Sequence, residues 1–295
     1  LKFDVLPGIA ADPLVALRKA AGKEPLKGNR PVQVATSGDN GSASTLRWTD
    51  DSRNAAVMVR AIDNKDRWLA TVDTGAGRLQ PRHRLTDPAW INWDFNEFGW
   101  LPDGRLWYLS EESGYSHLYL LDGARSARLT SGKWEVSRVA PARDGSAFHF
   151  LCNREWPGDY EVCHVPATGG SVREVTALDG VEDFRLSPDE SRLLVRHSSA
   201  YMPPQLSVQS ASGGQARQLT DTRTAEFKAR QWIQPQIVQV PSKHGAGTIW
   251  GKYYGPATME PGRKYPIVMF VHGAGYLQNV SAKYPNYFRE QMFHN

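Results

Sequence analysis

The residues best suited to chemistry lie near the end of the chain, in Tyr265–Tyr276, YPIVMFVHGAGY. Ile267–Val271 is an unbroken apolar run rich in β-branched residues, and such a run reads as a strand buried on both faces, as in a parallel sheet. His272-Gly273-Ala274-Gly275 follows at once. Glycines directly after a buried strand let the backbone turn sharply and bring N–H groups close to a ligand. That arrangement suits an oxyanion, the charge that develops on a carbonyl oxygen under nucleophilic attack. The plainer alternative is a strand that ends in a glycine turn.

Few other residues compete. The eight His are scattered, and only His272 sits in a loop of this kind. No HExxH, CxxC or other metal-ligand spacing occurs, so neither a metal nor another cofactor is expected. Glu111-Glu112 reads as part of a solvated turn. Cys152 and Cys163 flank Arg154–Tyr160, whose Pro157-Gly158 suits a hairpin turn. That hairpin would place the two cysteines nearly opposite each other. They read equally well as a disulfide of an oxidising compartment or as two reduced core thiols.

The elements that must position these residues fall into two groups. A length of 295 residues allows about two domains. Hydrophobic residues at 40% and charged residues at 22% are those of a soluble globular chain. No apolar run approaches the ~18 residues of a membrane span. The formal charge of +4 is spread along the chain, with Arg82-His83-Arg84 its densest basic cluster, and leaves no footprint for nucleic acid. Leu1 is not an initiator Met and Leu1–Ala10 is no signal peptide, so any targeting segment is expected to be removed or upstream.

Ala11–Gly22 reads as one short helix, opened by Asp12-Pro13. Gly28–Ser44 reads as loop. From Thr45 the sequence repeats. Leu85-Thr86, Leu129-Thr130, Val175-Thr176 and Leu219-Thr220 recur 44, 46 and 44 residues apart. Each unit opens on a turn: Asp50-Asp51-Ser52, Pro102-Asp103-Gly104, Arg143-Asp144-Gly145 and Pro188-Asp189-Glu190. Two strands follow each turn. They are Ala55–Val59 and Trp68–Val72, Leu106–Leu109 and His117–Leu121, Ala147–Leu151 and Glu161–Val165, Leu193–Val195 and Gln205–Val208. Gly169-Gly170 and Gly213-Gly214 fall where hairpins need positive φ. Helical signals are absent across Thr45–Phe227.

Several short strands per ~40–50 residues is the pattern of a β-propeller blade. Four units are visible, fewer than a closed propeller usually holds, and further blades are expected before Leu1. Leu118, Val162 and Leu206 occupy equivalent positions and should face equivalent inter-blade cores. After Phe227 the period breaks. Ile237–Val240, Ile249–Tyr254 and Pro266–Val271 read as successive strands, and Tyr284–Asn295 as a helix. The expected fold class is therefore mainly β: a partial propeller over residues 1–229, then the opening strands and first helix of an α/β-hydrolase domain over 230–295.

A propeller followed by a hydrolase opening resembles the prolyl oligopeptidase family of serine peptidases. Phe98–Leu120, FGWLPDGRLWYLSEESGYSHLYL, with Gly132-Lys133-Trp134-Glu135-Val136, looks like the dipeptidyl peptidase IV branch. Val271–Val280, VHGAGYLQNV, looks like bacterial members. The resemblance implies hydrolysis of short peptides, often beside proline, in a periplasmic or secreted enzyme, and leaves room for a homodimer. It implies that His272, Gly273 and Ala274 form an oxyanion loop. The branch carries an aromatic and an Arg before this blade that line the substrate pocket. A gapless count back from Asp103-Gly104 puts Trp93 and Asp94 there, so the aromatic is kept and a carboxylate replaces the Arg. Asp94 would then receive a substrate amine or basic side chain, the alternative being a packing Trp and a turn Asp. The paired glutamates that hold the substrate amine in this branch come from an earlier insertion, which Glu111-Glu112 does not match. The family's G-x-S-x-G elbow is absent, which places nucleophile, Asp and His outside this chain. Two other readings remain open: a non-catalytic propeller scaffold, and an esterase or acylaminoacyl-type hydrolase.

Overall fold

The computed structural model describes residues 2–34, 46–92, 94–245, 247–271 and 277–285. Four antiparallel sheets and one hairpin account for nearly all of its regular structure. The first sheet holds β1 (Val32–Val34), β2 (Leu46–Trp48), β3 (Ala55–Ala61), β4 (Asp66–Asp73) and β5 (Arg78–Thr86). Both β1 and β2 pair with β3, at its two ends, so together they supply one edge of that sheet. The second sheet runs in order through β6 (Phe98–Trp100), β7 (Leu106–Ser110), β8 (His117–Asp122) and β9 (Arg125–Arg128). The third runs through β10 (Val136–Pro141), β11 (Ala147–Cys152), β12 (Glu161–Pro166) and β13 (Arg173–Glu174). The fourth runs through β14 (Val181–Leu186), β15 (Arg192–Ser199), β16 (Met202–Ser210) and β17 (Arg217–Gln218). Then β18 (Gln236–Pro241) pairs with β19 (Thr248–Tyr253) and, among the described residues, with no other strand. The chain forms two compact units, Leu1–Phe150 with His164–Val172, and Leu151–Cys163 with Arg173–Asn295.

The repeat in the sequence is a repeat of local hydrogen bonds. In each turn the fourth residue donates its N–H to the carbonyl of the first: Ser52 to Thr49, Gly104 to Leu101, Gly145 to Ala142 and Glu190 to Ser187. All four donors have positive φ, between 57° and 85°, which explains glycine at two of them. The Asp one residue earlier accepts the N–H two residues on, at Arg53, Arg105, Ser146 and Ser191, an Asx turn that starts the next strand. The Leu-Thr or Val-Thr pair closes the far side. The N–H groups of Leu129, Val175 and Leu219 bond the carbonyls of Leu118, Val162 and Leu206. The following Thr hydroxyls accept the N–H of those same residues, at 3.0, 2.8 and 2.9 Å.

Alternation along the strands makes a sheet with two buried faces. Ala56, Met58 and Leu69 pack with Phe98, Leu106, Tyr108, Tyr119 and Leu121 of the second sheet. The intervening Val57, Val59, Trp68 and Ala70 pack with Leu6 and Ile9. Period-two alternation sends neighbouring side chains to opposite faces, as a stacked blade requires.

Several expectations need correction. The first helix, α1 (Val15–Ala20), is shorter than Ala11–Gly22 and buries no residue. Asp12 does not cap it; its carboxylate accepts the N–H groups of Leu14 and Leu26. A second short helix, α2 (Ala225–Ala229), begins inside the stretch expected to lack helix, with Thr224 as its N-cap. Leu118 and Val162 are fully buried, but Leu206, in the same register, is 37% exposed among the described residues. Pro266–Val271 is not a buried strand. No strand forms over it among the described residues, and Ile267 to Val271 are 56–93% exposed. Burial on both faces needs flanking strands and covering helices, which the described residues do not supply. The helix expected over Tyr284–Asn295 lies, beyond Pro285, outside the described residues.

Candidate functional site

Of the expected site residues, Trp93, His272, Gly273 and Ala274 lie outside the described residues. Asp94 is placed. It is exposed, and its N–H donates to Asn92 Oδ1 at 3.2 Å. It sits in the segment of residues 87–97 that leads into β6.

A buried arginine grips that segment. Arg67 on β4 is 2% exposed. Its Nη1 donates to Asn96 Oδ1 at 2.5 Å and to the Asn92 carbonyl at 3.5 Å. Its Nη2 donates to the Leu109 carbonyl at 3.3 Å. Burial lowers its pKa to about 10, against the charge of Glu111, so it stays a cation at neutral pH. The Asn92 N–H in turn bonds the Glu111 carboxylate. Asn92 is thus held from both sides. Five residues on, Glu97 accepts the N–H groups of Arg138 and Val139 at 2.6 and 2.7 Å. These two bonds fix Arg138 in a left-handed conformation, φ 56°, that non-glycine residues rarely adopt.

The electrostatics are uneven. Burial raises Glu111 to about 7; Arg67 opposes this, while Glu135 and Asp87 add to it. Glu135 is raised by burial and then by the charge of Asp94. Burial raises Glu97 too, outweighing its two N–H bonds and the charges of Arg138 and Arg47. Asp94, Glu111 and Glu135 therefore share a field in which Arg67 is the buried countercharge. Glu111 is half-buried, not the solvated turn residue expected, although it does make the turn, its carbonyl accepting Gly114 N–H. Such carboxylates can hold a cationic group at the exposed Asp94.

Nearby, Ser110 Oγ and Glu112 Oε2 each lie 3.3 Å from His83 Nε2. This has the residue types of a nucleophile and its base but not the arrangement. Ser110 is fully buried. Burial and Arg67 push His83 down to about 4, so its contact with Glu112 is not an ion pair at pH 7. Its other nitrogen faces Tyr108 OH at 3.3 Å, where a triad would have its orienting carboxylate. The network is structural.

Sequence reasoning missed Arg67 because it started the strand at Trp68; β4 begins at Asp66, which carries Arg67 into the core. Cys152 and Cys163 are bonded, S–S 2.00 Å, between β11 and β12. Among the described residues, the one group of three close ligand-type side chains is these two and Glu174. Both sulfurs are committed to the disulfide, so the group cannot bind a metal. No helix among the described residues is long and apolar enough to cross a membrane.

Comparison with known proteins agrees with this architecture. The crystal structure of Porphyromonas gingivalis dipeptidyl peptidase 4 superposes with a TM-score of 0.72 at 20% identity, covering 90% of this chain and 38% of that one. A curated relative, probable dipeptidyl-aminopeptidase B of Neosartorya fischeri, is 24% identical over 185 residues, which are 58% of this chain. The match takes in only 20% of the relative's length. The family model described as dipeptidyl peptidase IV (DPP IV) N-terminal region matches residues 22–204. With more than half its length matched and the sheets of that fold in place, the chain belongs to the dipeptidyl peptidase IV N-terminal-region family.

Proposed function

We propose that this chain is the propeller-side part of a serine peptidase that cleaves short peptides through an acyl-enzyme. Residues 1–229 are its propeller portion, and 230–295 open its α/β-hydrolase domain. Nucleophile, Asp and His lie outside this chain. The observation that carries the reading is the family match over residues 22–204. In it, Asp94 with Trp93 meets the amine end of the peptide, and His272–Ala274 supply the oxyanion donor, Gly273 N–H first. The disulfide supports a periplasmic or secreted location, since disulfides persist in oxidising compartments. A homodimer is compatible with the reading.

The test compares dipeptidyl p-nitroanilides with free and acetylated amines on the full-length gene product. An exposed ion pair is worth up to about 1 kcal/mol. Asp94→Asn should therefore raise KM for the free amine about two- to fivefold and leave the acetylated substrate unchanged. Equal effects on both would remove Asp94 from the amine site. Preference for the acetylated substrate would favour an acylaminoacyl-type enzyme.

A further inference from the structure

Asp94 stands on a loop whose neck is closed by one buried side chain. Over residues 91–99, Asp94 is the one exposed residue among those described. Ile91, Phe95, Asn96 and Phe98 around it are buried. Arg67 Nη1 donates to the Asn92 carbonyl and to Asn96 Oδ1, on either side of Asp94. Arg67 Nη2 donates to the Leu109 carbonyl on β7, and Leu109 N–H donates to the Glu97 carbonyl at 3.0 Å. Both ends of the loop are thus tied to one guanidinium, and that guanidinium to the strand beside it.

The segment leading into the loop is fixed as well. Asp87 N–H donates to the Lys65 carbonyl and Ile91 N–H to the Asn64 carbonyl, both at 3.0 Å. Lys65 Nζ donates to the carbonyls of Pro88 and Ala89. Residues 87–91 are therefore bonded to the turn between β3 and β4, and Arg67 lies at the start of β4, just past that turn. Within the loop, Asp94 N–H donates to Asn92 Oδ1, an Asx turn, and Asn92 N–H bonds the Glu111 carboxylate. The chain around the Asp94 carboxylate is thus held at Asn92, Asp94, Asn96 and Glu97. Arginine suits the clamp because its planar fork carries five N–H donors in fixed directions, whereas a lysine ammonium is a point charge.

We propose that Arg67 is a positioning residue for substrate selectivity. By closing the loop from Asn92 to Asn96, it sets where the Asp94 carboxylate meets a cationic group. Arg67 is 2% exposed, so it acts on a ligand only through the loop. The consequence for selectivity rests on the reading of Asp94 as the site of the substrate amine; the clamp itself does not. A residue that acts through Asp94 should not matter more to the amine than Asp94 does, which bounds the effect at about two- to fivefold in KM. Its effect should also vanish once the Asp94 charge is gone, as it does for residues coupled in one chain of contacts.

The experiment has two arms and two variants. Arg67→Lys keeps the buried charge and loses the fork. Asn96→Ala removes the acceptor on the loop, and decides the matter if Arg67→Lys does not fold. In the first arm, hydrogen exchange is followed on this 295-residue chain. Peptides covering 87–97 should exchange at least about tenfold faster in both variants, with peptides of β3 and of the fourth sheet unchanged. Wild-type exchange at 87–97 in the variants overturns the clamp. In the second arm, the full-length gene product is assayed with dipeptidyl p-nitroanilides bearing free and acetylated amines, with and without Asp94→Asn. Each variant should raise KM for the free amine about two- to fivefold, leave the acetylated substrate unchanged, and have no further effect on either once Asp94→Asn is present. Equal effects on both substrates, or an effect that survives Asp94→Asn, overturn the positioning role and leave the amine site standing. If Asp94→Asn alone treats the two substrates alike, the amine site falls and the positioning role with it, while the exchange arm still decides the clamp.

Discussion

Replacing Glu111 by a glutamine removes one charge from beside the segment that Arg67 grips, and pH isolates the effect. Burial holds the Glu111 carboxyl near pH 7, against an ordinary 4.5. Between these values the native state keeps a proton that the unfolded chain has lost. Stability therefore falls as pH rises through this window, and the full cost is present above pH 7. The interval corresponds to at most about 3 kcal/mol at ~1.4 kcal/mol per pH unit. Glu111 is only half-buried, and solvent screening brings this to about 1–2 kcal/mol. The substituted amide carries no charge at any pH. Urea denaturation of wild type and Glu111→Gln between about pH 4 and 8 should give equal stabilities near pH 4, the variant gaining about 1–2 kcal/mol by about pH 8. A difference that does not change with pH, or a variant that loses ground as pH rises, would show that Arg67 keeps Glu111 ionised and that burial does not dominate.

The repeat and the oxyanion loop make their own predictions. Thr130 is 3% exposed and its hydroxyl accepts Leu118 N–H, so Thr130→Val strands a buried donor and should cost about 1–3 kcal/mol by urea denaturation. The same change at Thr220, which accepts the N–H of the more exposed Leu206, should cost less, and equal losses would break the link between burial and cost. In the full-length gene product, Gly273→Pro, which removes the backbone N–H, should lower kcat by about 10²–10³, whereas His272→Ala keeps most of it. Loss of turnover in a folded His272→Ala protein would assign the donor to the imidazole.

The sheets were legible because the residues that mark the period act locally. Asp103 bonds an amide two residues away, and Thr130 bonds one twelve residues away. Such patterns survive in a one-dimensional reading. The disulfide was half legible: the hairpin put Cys152 and Cys163 opposite each other, but spacing cannot fix oxidation. Glu111 was misread for a tertiary reason. It makes the expected turn, yet the Asn92 N–H and Arg67 that hold it come from 19 and 44 residues away. Arg67 was missed likewise, since its partners Asn96 and Leu109 are remote in sequence. Ile267–Val271 failed differently. An apolar run says that a segment can be buried, not that anything is present to bury it.

The central claim is that this chain serves a serine peptidase whose nucleophile it does not contain. Labelling with a fluorophosphonate, followed by mass-spectrometric mapping, tests it most directly on the 295-residue chain and on the full-length gene product side by side. The account predicts no stoichiometric label on the chain, because oxyanion donors without Ser, His and Asp leave only residual catalysis. It predicts one labelled serine in the full-length protein, beyond Asn295. Stoichiometric labelling of a serine within these 295 residues, or no labelling of a folded full-length protein, would contradict it.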